Sequence, residues 1–449
     1  MERLRNDTCS LRIPPSPATS TTSFQAFVAI SESFTQMEMA SSIATTVPSK
    51  MPNLPWEIIV DILSRLPATS LLRFRCVSKP WCSFIDSPDF IKIHLSQSQK
   101  TSSNLSLILG FLGIYSIDFD SLDCARVLRP PFSTSDVSNS CNGLVLLMGP
   151  NQTPFLWSPS TRKYKTLPDS PLKYPDDGDA SSFSLYKRYG FGYVDQEDDY
   201  KVFRVVEFRG PDSIWVGSEA KIYSLKSNSW KMVEDYPYPL PRIKGWGVHV
   251  NGVLHTVLCI SNSEKEIVAF DLRSEENYTV RKPDFSPVEY VDLSVSAMAG
   301  CLCLVGFRKY RRRTDIWIMK EYGVKKSWSK LLSIAALDGE PYSIVSPLAY
   351  SKTGDEVLLN CDDEKLVWYD LRRKTTREVN VRGLPFRFYA EVFIGSLVPL
   401  ENGGLNRGVS GGVDEIEIRR RAGRQEKRKG KDTRRKRDDF LSEGFKLVL

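Results

Sequence analysis

Histidine is nearly missing from this chain: 449 residues contain only His94, His249 and His255. With so few imidazoles, and with no G-x-x-x-x-G-K loop, nucleophile elbow or H-E-x-x-H helix, the usual phosphate-cradling, acyl-transfer and zinc-hydrolase arrangements have no residues to use. The chain therefore reads as non-catalytic, with no cofactor and no metal. His249 and His255 flank Asn251-Gly252, a hairpin signal that puts them on opposite arms, where they could face each other. No carboxylate or cysteine pair recurs near them at ligand spacing, so they read as hydrogen-bonded strand positions. Cysteine is sparse as well: nine are scattered from Cys9 to Cys361, which argues against a disulfide scaffold and for free thiols in the cytosol or nucleus. Cys301 and Cys303 share one face of a strand, but a lone C-x-C is no zinc site, and they read as small buried side chains. The acidic run Asp195, Glu197, Asp198, Asp199 lacks the glycine and the glutamate of a calcium loop and reads as a solvated turn.

Long apolar runs are missing too. The longest, Leu105 to Ile117, is broken by Ser106, Gly110, Gly113 and Ser116 and is too short to span a bilayer. No compact apolar core follows a basic cap at the N-terminus, so neither a secretory signal nor a membrane partner is expected. A sustained excess of one charge sign is confined to one window. Arg419 to Arg437 holds 12 Lys or Arg against Glu426 and Asp432, a net of +10 where the whole chain carries +7, so the rest of the chain carries −3. Such a window suits nuclear import or weak phosphate binding, and the expected location is cytoplasmic, nuclear or both. No basic-aromatic stripe accompanies it elsewhere, so nucleic acid is not an expected partner. Residues 1–50, rich in Ser, Thr, Ala and Pro, and residues 401–449 are expected to be disordered.

What is present begins at Leu54 with LPWEIIVDILSRLPATSLLRFRCVSKPWCSFIDSPDFIKI. At about 100° per residue, Ile58, Ile59, Ile62, Leu63 and Leu66 gather into an arc of about 140°, with Glu57, Asp61, Ser64 and Arg65 opposite. Pro67 ends this helix. Thr69 or Ser70 can cap a second one carrying Leu71, Leu72, Phe74 and Val77, and Ser78 with Pro80 opens a third around Trp81, Phe84 and Ile85. Ser87 with Pro88 starts a short fourth helix; the helices together fill a domain of residues 51–96, and the end of LSQSQKTSSN, residues 97–104, reads as a flexible linker. So much apolar surface in roughly 40 residues cannot be buried internally, so a partner is expected.

Over residues 105–400 the texture changes to short β-prone runs separated by polar turns. PFLWSPSTRKYKTLP, KIYSLKSNSWKMV, IVAFDLRSEENYTV, IWIMKEYGVKKSWSKL and LVWYDLRRKTTREVNV each place an aromatic-apolar strand before a turn and another strand. Trp157, Tyr223, Phe270, Ile318 and Tyr369, taken as equivalent, are 66, 47, 48 and 51 residues apart. A repeat of about 48 residues over roughly 300 implies a β-propeller of about six blades, with PDDGDASS lengthening the first interval.

Leu54-Pro55, Ile62-Leu63-x-x-Leu66-Pro67, Leu71-Leu72 and Val77-Ser78-x-x-Trp81 resemble an F-box. SCNGLVLL, LWSPSTRKYKTLP, YGFGYVDQEDDYKVFRVV and LVWYDLRRK resemble the F-box-associated, kelch-like domain of plant F-box proteins over nearly all of 105–400. The resemblance implies an all-α F-box followed by an all-β propeller of kelch-like blades, an α+β chain with segregated domains. It implies docking on a Skp-type adaptor, and through it on cullin and RING subunits, by Leu54, Pro55, Ile58, Ile62, Leu63, Leu66, Leu71, Val77 and Trp81. It further implies that the propeller recruits a protein target, which it does not name, for ubiquitination and degradation. The alternative is a propeller-based binding protein or enzyme acting outside a ubiquitin ligase. For the target, the cationic stretch Arg308, Lys309, Tyr310, Arg311, Arg312, Arg313 suits an acidic or phosphorylated segment, although a hairpin tip in water favours charge anyway.

Overall fold

The computed structural model describes residues 55–400, apart from 135–136, 176–182, 212–213, 235, 240–246, 262–263, 286–289, 291, 309–311 and 336–343. Four helices come first: α1 (Trp56–Ser64), α2 (Ala68–Phe74), α3 (Lys79–Ile85) and α4 (Pro88–Thr101). Ser78 and Ser87 cap α3 and α4, their hydroxyls accepting from the Trp81 and Phe90 amides at 3.3 Å, with proline in the first turn of each helix. The start of α2 differs from expectation. Pro67, extended at ψ 142°, is its N-cap and makes no side-chain cap bond, while Thr69 and Ser70 lie inside the helix.

α1 also sits differently from its sequence pattern. Its buried residues are Val60, Leu63 and Ser64, while Ile58 and Ile62 face solvent. Ser64, expected on the polar side, is buried because its hydroxyl donates to the Asp61 carbonyl at 2.8 Å and so needs no water. The core thus takes one flank of the apolar arc and leaves the other outside. Trp56, Phe84 and Phe90 link α1, α3 and α4, with successive ring centroids 4.7 and 4.6 Å apart.

α4 is not short, and the expected linker is largely helix. Phe90, Ile91, His94 and Ser98 form its buried stripe, and Ser102 in the left-handed region (φ 50°) ends it. Residues 97–101 are Gln, Ser, Gln, Lys and Thr, which is why this stretch reads as a linker in the sequence.

Six four-stranded antiparallel sheets follow. Blade 2 comprises Val137–Cys141, Leu144–Met148, Pro154–Trp157 and Tyr164–Thr166; blade 3 comprises Ser184–Val194, Asp199–Arg209, Trp215–Ser224 and Ser229–Val233. Blade 4 spans Val248–Val250 to Asn277–Val280, blade 5 Asp292–Met298 to Trp328–Ala335, and blade 6 Val345–Tyr350 to Thr376–Glu378. Blade 1 is composite: Leu105–Gly110, Ile114–Asp118 and Arg126–Leu128 are completed by Tyr389–Ile394, whose Val392 pairs with Leu107. Ring closure therefore joins the two ends of the domain and leaves no blade open. The five marker residues occupy equivalent places near the ends of their blades' third strands, as in Tyr223↔Trp230 and Tyr369↔Thr376. Blades pack through apolar faces; between blades 3 and 4, Phe203 stacks on Phe270 with centroids 3.9 Å apart.

Because strands alternate in direction, each blade's first and third turns reach one rim and its second turn the other. The first rim, called the near rim below, carries Asn142-Gly143 and Asp195 to Asp198, and at these turns of blades 2 and 3 it lies against the helices.

Candidate functional site

The helical module presents apolar side chains that its own core does not use. Ile58 and Ile62, one turn apart on α1, are each 47% exposed, Val77 is 63% exposed, and Phe74 and Ile93 are also exposed. Pro55 is exposed at the head of α1. Trp81 is half-buried and meets Phe74 edge-on at 6.1 Å, and Leu66 is half-buried. Leu63 (3% exposed) and Leu71 (0%) lie in the core, so they support the face rather than form it. Leu54 lies outside the described residues. Phe74 was not among the expected docking residues; its place one turn before Val77 is the signal that could have found it.

Two ion pairs lie within this module. Arg65 bonds Asp61 at 2.8 Å along α1 and holds its carboxyl below the usual range, and Arg75 reaches Asp86 at 2.6 Å, tying α2 to the end of α3. His94, fully buried, lies 2.9 Å by Nε2 from the Leu66 carbonyl at the α1–α2 corner, and burial lowers its pKa. A neutral ring donating there satisfies a carbonyl that lies past the end of α1 and receives no helical amide, since the Ser70 and Leu71 N–H groups go to the Pro67 carbonyl.

The module is fixed to the near rim. Lys92 of α4 bonds Asp198 at 2.8 Å, and Tyr193 donates to the same carboxylate. The acidic run is thus more than a solvated turn: Asp198 joins the two modules, and Asp199, buried, accepts from Ser224 and from the Lys226 amide at 2.9 Å. Gln99 of α4 donates to Asn142 Oδ1 at 3.0 Å, and the Asn142 carbonyl accepts from Ser396 Oγ at 2.7 Å. Val60, Leu63, Leu71, Phe84 and Phe90 of the helices share one buried cluster with Leu144, Leu146 and Leu156 of blade 2 and with Leu397, Val398 and Leu400.

His249 and His255 do not face each other, because His249 pairs with Leu254 and His255 with Val248, so the imidazoles leave opposite sides of the hairpin. His249 packs on Gly192, where a Cβ would stand 2.3 Å from its ring, and contacts the Tyr193 main chain; His255 bonds the Val248 carbonyl (3.0 Å) and Tyr322 (2.7 Å). Burial pushes the His255 pKa down to about 4 and the Cys141 and Cys303 thiols up to about 12, which keeps these groups neutral. Among the described residues, no group of three or more His, Cys, Asp or Glu could hold a metal, and no helix is long and apolar enough to cross a membrane.

Of the cationic stretch, Arg308 is committed inside blade 5: it bonds Asp315 at 2.9 Å and Tyr290 at 2.8 Å and lies over the Tyr290 ring. Arg313 bonds the Ser333 hydroxyl and carbonyl, each at 3.1 Å, along its sheet. Arg312 adopts φ 49° at the turn, and Lys309, Tyr310 and Arg311 lie outside the described residues. Of the six residues expected to act together on a target, Arg308 thus has its guanidinium held by Asp315 in the free protein.

Residues 51–93 match the F-box domain family and residues 110–396 match the family described as the F-box associated beta propeller domain. The chain is 36% identical over 425 residues to the F-box protein CPR1 of Arabidopsis thaliana, covering 89% of this chain and all of that protein. It is 31% identical to the Arabidopsis F-box protein At4g22390 over 89% of this chain and all of the relative, and 29% identical to the F-box protein At3g07870 over 77% and 92%.

Proposed function

The chain belongs to the F-box proteins that carry an F-box-associated β-propeller domain, and on that premise we propose that it is the substrate-recognition subunit of a Skp–cullin–F-box ubiquitin ligase. An F-box joined to a propeller is the architecture typical of such receptors. In this reading a Skp-type adaptor covers Ile58, Ile62, Phe74, Val77 and the open side of Trp81, and cullin and RING subunits follow through the adaptor. The observation that carries it is the pair Ile58 and Ile62, held half in water on a helix whose other side is packed. Exposed apolar groups gathered on a rigid support are what a protein partner buries.

The target is held on the rim away from the helices, because the near rim already carries them at blades 2 and 3. Leu112, Ile214, Trp215 and Phe386 are exposed at or beside turns of that far rim. No bond chemistry is asked of this chain. Its contribution is proximity: a target fixed on a rigid receptor meets the ubiquitin-charged enzyme as an intramolecular reactant.

The test replaces Ile58 and Ile62 by Asp in the full chain and measures binding to a purified Skp-type adaptor. Both side chains reach solvent in the free protein, so folding is preserved, whereas each carboxylate would be buried without a partner in the complex at a cost of several kcal/mol. Binding is expected to fall at least a hundredfold with an unchanged melting temperature. Undiminished binding by the double variant would overturn the assignment.

A further inference from the structure

We infer that residues 395–400 couple the docking module to closure of the propeller, so that the module is complete only in a chain whose ring has closed. The inference rests on the F-box reading for its biological meaning, and on the fold alone for its physics. Tyr389–Ile394 is the strand that closes the ring on Leu105–Gly110. The chain then turns at once beneath the helices. Gly395 donates to the Asn104 carbonyl at 2.9 Å, just after α4, and Asn104 in turn donates to Ser98 of α4 at 2.8 Å. Ser396, fully buried, bonds the Asn142 carbonyl, and Asn142 receives Gln99 of α4. Leu397, Val398 and Leu400 then enter the same buried cluster as Val60, Leu63, Leu71, Phe84 and Phe90.

The physical ground is size. A helical unit of about 45 residues hides too little of its surface to be secure alone, and segments that finish its core contribute a large share of its stability. Here that segment lies some 300 residues downstream of the helices it supports, and the closing strand delivers it. During synthesis the helices emerge first and remain without this part of their core until the last blade has been made. A truncated or open-ring chain would therefore hold its helices loosely and bind an adaptor weakly. By reciprocity, adaptor binding would stabilise the ring.

The experiment compares amide hydrogen exchange in the full wild-type chain and in the full chain carrying Leu397→Ser and Leu400→Ser, both without adaptor. Amides of α1, α2 and α3 are expected to exchange at least tenfold faster in the variant, although neither substitution lies in a helix; rates within twofold of wild type would overturn the inference. Should the double variant fail to fold, Leu400→Ala gives the same reading with a threefold threshold. The dissociation constant of a purified Skp-type adaptor is then measured on the same proteins, and a rise of at least fivefold in the variant is expected. Wild-type chain that ignores the adaptor would count against the F-box reading while the exchange result still decides the coupling. Normal adaptor affinity in a variant with accelerated helices would overturn the link to docking.

Discussion

Replacing Gly143 by alanine strikes the joint at its tightest point. Gly143 sits at φ +84°, and an added Cβ would stand 2.1 Å from Ser396 Oγ, 2.6 Å from Ser396 Cβ and 2.7 Å from the Ile394 carbonyl oxygen. The left-handed conformation alone costs alanine about 1 kcal/mol relative to glycine. Relief of the overlap must move Ser396 and break its bond to Asn142, leaving buried polar groups unpaired at about 1–3 kcal/mol. Residual crowding in a packed interior adds about 1–2 kcal/mol. Together these predict a loss of roughly 3–6 kcal/mol, a large part of the stability of an ordinary domain. Urea unfolding followed by tryptophan fluorescence measures it. The reasoning also predicts non-additivity: Ser396→Gly removes both side-chain atoms that the new methyl meets, so the double variant should be at least about 1 kcal/mol more stable than the sum of the single effects. A loss below 1 kcal/mol in Gly143→Ala, or strict additivity with Ser396→Gly, would refute the claimed contact.

Three further outcomes are expected. A chain ending at Ile344 loses blade 6 and the closing strand Tyr389–Ile394, leaving the edge of Leu105–Gly110 open; it should be insoluble or rapidly proteolysed, and a soluble fragment melting cooperatively would argue against a closed ring. Burial lowers the pKa of His94, His249 and His255, the last to about 4. The unfolded chain therefore takes up protons below pH 6.5 that the folded chain refuses, so stability is full above pH 6.5 and declines as pH falls; His255 alone should account for about 2 kcal/mol between pH 7 and 5. Denaturation at the two pH values checks this, and His255→Gln should flatten the dependence, an unchanged slope being the contrary result. For the basic window Arg419 to Arg437, which lies outside the described residues, we propose a role in nuclear enrichment; a fluorescent fusion lacking residues 401–449 should lose nuclear signal, and identical distributions would remove that role.

Local features were legible in the residues themselves. Ser78 with Pro80 and Ser87 with Pro88 specify helix starts because cap and first turn are settled within four residues. The marks from Trp157 to Tyr369 specify blades because each repeats one strand–turn–strand unit, and Asn142-Gly143 announces its turn because few residues accept positive φ. Decisions that join distant parts of the chain were not legible. Nothing local says that Tyr389–Ile394 completes the sheet begun at Leu105–Gly110, since pairing across nearly 300 residues follows from the ring having to close. Nor does periodicity reveal which flank of the α1 arc is packed: Ile58 and Leu63 are equally apolar, and only the positions of α3, α4 and the near rim leave one in water and bury the other. The end of α4 reads as a linker because Gln, Ser, Lys and Thr dominate it, and nothing local shows that Ser98 is buried: polar residues are buried only when a particular partner satisfies them, here Asn104. Arg308 looked available for a ligand for the converse reason: its partners Tyr290 and Asp315 are brought to it by a neighbouring strand and the connection before the blade. The sequence by itself determined the building units and their order, since those depend on interactions within a few residues. Which surfaces remained free was decided by the tertiary structure, because that depends on what the rest of the chain covers.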